Sequence, residues 1–122
     1  MDYLNDISQS ADDAISFIEG MRYEEFVMDR KTLNAVVRSL EIMGEASRHV
    51  PKRIRDKASD IPWGEMKGLR NRIAHEYFGI DNEIVWHIVS HDLLNLKQQI
   101  AELIRLVMHQ ASSHDDAHKN YN

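Results

Sequence analysis

Apolar residues recur along most of this chain at three- and four-residue steps, the spacing that paints one stripe on a helix. Leu4, Ile7, Ala11, Ala14, Ile15 and Ile18 make the first stripe and predict a helix from about Asp2 to Glu19, with Gly20 free to stop it. A short turn follows from Tyr23 to Met28. Asp29 is a good N-cap for a second long helix, whose stripe is Leu33, Val36, Val37, Leu40, Met43 and Ala46 and which Pro51 ends. Pro51 then suits the first turn of a short basic helix to Lys57. A further helix opens around Asp60–Pro62 and runs until just before Gly79. Asp81 caps the last one, which carries Val85, Val89, Leu93, Leu96, Ile100, Leu103 and Val107 and reaches about His109.

Strand patterns are sparse, and the chain has only five Gly and two Pro. The fold expected is therefore all-α: an antiparallel bundle of four to five helices in one domain, residues 1–109. Residues 110–122 (QASSHDDAHKNYN) show no apolar period and read as a flexible C-terminal tail. Trp63, Trp86, Phe78 and Phe17 are assigned to the core or to an interface. Gly44, inside the second long helix, suggests that another backbone comes close there.

Composition removes some functions. With no Cys there is neither a disulfide framework nor a thiolate nucleophile, which suits a reducing cytoplasm. Met1 is followed by Asp2, Asp6, Asp12 and Asp13 and not by a basic and then apolar leader, and no segment is apolar for long enough to span a bilayer. The expected location is cytoplasmic, with no membrane partner.

The net charge of −5 argues weakly against a nucleic-acid binder, but its distribution is uneven. Residues 51–72 hold seven basic and three acidic side chains, while the remainder holds 8 and 17. That segment is either a solvated connector or a surface for phosphates.

The stretch LRNRIAHEY lies toward the end of the predicted fourth helix and carries the candidate chemistry. On a helix turning about 100° per residue, Asn71 and His75 stand roughly 100° and 140° from Arg70, so the three share one arc. Imidazole titrates near neutrality and can take a proton from a 2′-hydroxyl or give one to a leaving 5′-oxygen. A guanidinium stays charged and offers paired donors to a phosphorane-like transition state. One Arg and one His form a thin kit; a symmetric dimer supplies one imidazole as base and a second as acid. His87 and His91, an i,i+4 pair, have the spacing of metal ligands, but a third ligand is not evident, so no metal or other cofactor is assigned. Glu41 and Glu45 flank Gly44; Glu45 is placed to meet Arg70 or Arg48, as interface packing or as support behind the site.

RNRIAHEY matches the Arg-x4-His-x-Tyr form of the HEPN (higher eukaryotes and prokaryotes nucleotide-binding) signature. Together with AVVRSLEIMGEASRHVP, IPWGEMKGLRNRIAHEYFGID and the Val85–Trp86 step, it resembles the HepT-like ribonuclease toxins over nearly the whole chain to about residue 107. The resemblance implies a HEPN-like homodimer with its active site in the cleft between subunits. It implies a metal-independent endoribonuclease toxin acting on RNA, including transfer RNA, and a cognate minimal nucleotidyltransferase antitoxin that transfers AMP to the motif tyrosine. Carried onto this chain, Arg70 and His75 become catalytic, Asn71 positions the substrate, and Tyr77 accepts AMP. The alternative is a non-catalytic helical dimer that binds nucleotide or substrate for a partner nucleotidyltransferase.

Overall fold

A computed structural model describes residues 2–75 and 79–119, with side chains for residues 2–74 and 79–111. The fold is all-α. Helix α1 spans Asp2–Phe17, α2 Tyr23–Met28, α3 Arg30–Arg48, α4 Lys52–Arg55, α5 Trp63–Lys67, α6 Leu69–Ile73, α7 Asn82–His87 and α8 Leu93–Lys119. A 3-10 turn covers Asp56–Ala58, and a π-helical turn, Ile88–Asp92, joins α7 to α8. Among the described residues, the strand content is a two-residue antiparallel pairing of β1 (Ala74–His75) with β2 (Gly79–Ile80).

Helices α1, α3 and α8 make the body of the bundle. Their apolar stripes meet in the middle: Ile7 and Ala14 of α1, Val36, Leu40 and Met43 of α3, and Leu93, Ile100 and Leu103 of α8 are all but inaccessible to water. Burying each of the larger side chains contributes about 1.5–3 kcal/mol, which is why the three stripes, and not local propensity, fix the arrangement. Residues Tyr23–Met28 form a helical turn that buries Phe26 under Trp86, ring centres 5.1 Å apart. Trp63 is also buried, its indole N–H donating to the Ala58 carbonyl oxygen at 3.0 Å. Phe17 is exposed, and Phe78 lies outside the described residues.

Both aspartate caps form. The Asp29 carboxylate accepts the Thr32 N–H at 3.0 Å and the Thr32 hydroxyl at 2.7 Å; Asp81 accepts the Ile84 N–H at 3.1 Å. The π turn answers a demand of the stripe. Val85, Val89 and Leu93 advance eight residues, where two α-helical turns take about 7.2; a wider turn keeps all three inward.

Two expected boundaries move. Helix α8 continues to Lys119 instead of ending at His109, there being no Gly or Pro after Asp81 to break it. The expected fourth helix is cut twice. Gly68 separates α5 from α6, and α6 ends at Ile73 because the Ile73 carbonyl oxygen accepts the Asp81 N–H at 2.8 Å while Ala74 pairs with Ile80.

Candidate active site

Helix α6 is held by its two buried side chains, Leu69 and Ile73, and presents Arg70, Asn71 and Arg72 outward. It sits close against α3 because of Gly44: a Cβ there would stand 3.0 Å from the Met66 carbonyl oxygen and 3.7 Å from the Leu69 Cβ. The close backbone approach read from Gly44 is therefore present.

The crossing leaves a groove of about 190 Å³. Four cations, Arg38, Arg48, Lys67 and Arg70, and two carboxylates, Glu41 and Glu45, line it. Fixed positive charge in such a concavity attracts phosphate even on a molecule of net charge −5. Glu45 shares the groove with Arg70 and Arg48, but its carboxylate meets the His49 Nε2, at 3.2 Å.

Arg72 points to the other side of α6. Its guanidinium lies 3.6 Å from Asp92 on the π turn, and the same carboxylate lies 3.6 Å from the His87 Nε2. The His87 and His91 rings are 4.9 Å apart, yet among the described residues no three His, Asp or Glu side chains are grouped to hold a metal ion.

The shared helical arc of Arg70, Asn71 and His75 is corrected. Arg70 and Asn71 are on α6, but His75 is past its end, on β1, because Ala74 already has extended backbone (ψ 133°). His75 is instead fixed through its backbone, opposite Gly79 in the strand pair. Tyr77 lies outside the described residues, as does the His75 side chain.

Of the two readings of the basic run, the solvated connector fits better. The basic run 51–72 does not form one surface: Lys52 pairs with Asp56 at 2.7 Å, Arg55 donates to the Val50 carbonyl oxygen, and Lys67 and Arg70 alone from that run line the groove. The other two cations, Arg38 and Arg48, come from α3. Their signal was present in the sequence: Arg38, Glu41, Glu45 and Arg48 follow one another at steps of three, four and three, a polar stripe beside Gly44.

Comparison with known proteins gives this chain a family. Residues 7–103 match the family model described as "Ribonuclease HepT-like". The chain is 44% identical over 98 residues to "Putative RNase MJ1380" of Methanocaldococcus jannaschii, covering 80% of this chain and 90% of that one. It is 38% identical over 102 residues to "Probable ribonuclease HepT" of Thermococcus cleftensis, covering 84% and 93%. No solved structure gives a significant match. The chain belongs to the HepT-like ribonuclease family, and that membership supports a ribonuclease function.

Proposed function

We propose that this protein is a metal-independent endoribonuclease toxin that works as a homodimer, with Arg70 and His75 of both subunits lining a shared cleft. The observation that carries the reading is Arg70, exposed on a short, firmly packed helix at the mouth of a cationic groove, inside a chain of the HepT-like family.

The chemistry follows from the side chains. One His75 imidazole takes the proton from a ribose 2′-hydroxyl, and the 2′-oxygen bonds to phosphorus. The phosphorus–5′-oxygen bond breaks, and the leaving oxygen receives a proton from the second imidazole. Arg70 donates to the phosphoryl oxygens as their charge grows. Asn71, exposed beside Arg70, orients the phosphate. Tyr77 accepts AMP from a cognate nucleotidyltransferase antitoxin. The added phosphate carries negative charge two residues from His75, where it repels the RNA backbone. The protein acts in the cytoplasm; among the described residues no helix is long and apolar enough to cross a membrane.

Purified protein incubated with total RNA in the presence of a chelator tests the reading. Cleavage that survives chelation and drops by two or more orders of magnitude in Arg70→Ala and His75→Ala supports it. A wild type that cuts nothing, or a His75→Ala variant that cuts equally well, overturns it. A mass gain of one or more AMP units on co-expression with the nucleotidyltransferase, absent in Tyr77→Phe, tests the neutralisation arm.

A further inference from the structure

The groove beside Arg70 does not end at α3. Across the ridge formed by Arg38, Glu41 and Glu45 lies a second depression of about 290 Å³ between α1 and α3. Its wall is an aromatic pair: the Tyr3 phenol ring and the His49 imidazole are stacked, 5.0 Å between centres and 23° from parallel. The Glu45 carboxylate lies 3.2 Å from His49 Nε2. Tyr3 remains 44% exposed, although it is a large ring on a helix whose neighbouring Leu4 is in the core. Asp6 and Glu41 stand at the rim.

The two depressions divide the chemistry of a nucleotide. The first holds four cations against two carboxylates and suits phosphate. The second offers a flat aromatic face with carboxylates and no added cation beyond Arg38, and suits a base. Bases stack on such faces whatever their identity. Carboxylates accept from exocyclic amino groups, so they favour bases that carry one over uracil, which has none.

We propose that this surface is a single-stranded RNA track leading away from the Arg70 site. Arg48, Lys67 and Arg38 hold the phosphate next to the scissile one, and the Tyr3–His49 pair stacks the adjoining base with a preference for adenine, cytosine or guanine. The assignment rests on the ribonuclease reading only for which phosphate is cut; binding along the track is independent of cleavage.

Binding of short 2′-O-methyl RNA oligomers, which lack the attacking hydroxyl, to the full chain measures this directly by fluorescence anisotropy. Tyr3→Ala is expected to weaken binding of an oligo-adenylate by roughly five- to hundredfold, and oligo-uridylate to bind the wild type more weakly than oligo-adenylate. Arg48→Ala is expected to lower the slope of log affinity against log salt by about 0.7, while Arg53→Ala, on α4 and outside the groove, leaves that slope unchanged. Sedimentation of each variant accompanies the titrations. Unaltered binding in both Tyr3→Ala and Arg48→Ala overturns the track. So does a change of oligomeric mass in Tyr3→Ala, which makes the face a contact between copies of the chain. A wild type that binds through Tyr3 and Arg48 but cuts no RNA leaves the track standing and removes the ribonuclease reading.

Discussion

Gly44 of α3 lies against the Met66 carbonyl oxygen of α5, so close that a Cβ at position 44 would stand 3.0 Å from it. The obstacle is helix backbone, which cannot swing aside as a side chain can. Alanine in a helix interior gains about 1 kcal/mol over glycine, while forcing a methyl into a filled contact costs about 1–3 kcal/mol. Gly44→Ala is expected to lose about 1 kcal/mol net in urea unfolding, and to lower RNA cleavage because α3 and α6 together frame the Arg70 groove. Gly64, with nothing within 4 Å of its added Cβ, is the control: Gly64→Ala gains about 0.4–1 kcal/mol. Equal stability changes of the same sign in the two variants would remove the argument.

Gly79 pairs with His75 and holds φ at +86°. An L side chain in that region pays about 1–2 kcal/mol, and here no crowding adds to it. Gly79→Ala is expected to destabilise by about 1 kcal/mol and, because the strand pair is what fixes the His75 backbone, to reduce the rate of cleavage by more than the loss of folded protein explains. A rate per folded molecule equal to wild type separates the strand pair from catalysis.

How far the sequence carries depends on which force sets each feature. The three long helices are legible because burial sets them, and burial writes a period into Ile7–Ala14, Val36–Met43 and Leu93–Leu103. The caps at Asp29 and Asp81 are legible because a carboxylate reaches the backbone two or three residues on. The end of α6 is not. Ala74, His75 and Glu76 carry no breaker, and what stops the helix is a hydrogen bond from Asp81, eight residues away. Arg70 and Asn71 were thus readable as neighbours, but the path of the chain to His75 was tertiary. The groove cations Arg38 and Arg48 stand outside the basic run 51–72; their polar stripe is legible, but their proximity to Arg70 is set by the Gly44 crossing.

The Arg72–Asp92 pair joins α6 to the π turn, but both side chains are more than a third exposed and stand 3.6 Å apart. Water and salt screen such a pair to at most a few tenths of a kcal/mol. Asp92→Asn is therefore expected to shift stability by less than about 0.5 kcal/mol, measured by urea unfolding at low and at high salt. A loss several times larger, or one that persists undiminished at high salt, would mean that the pair anchors α6.

Asp29 contributes to the acid side of the stability profile. Hydrogen bonds from the Thr32 hydroxyl, and then from the Thr32 N–H, hold its carboxyl below the ordinary carboxylate range. A group whose folded pKa is depressed contributes stability above its unfolded value, about 3.9, and loses it as pH falls through the folded one. The advantage of wild type over Asp29→Ala should therefore be full at neutral pH and shrink only below about pH 4. Urea midpoints of both proteins from about pH 7 down to about pH 2.5 read it out. A gap that stays constant across that range would show that the cap works without its charge; a gap that widens in acid would reverse the sign of the argument.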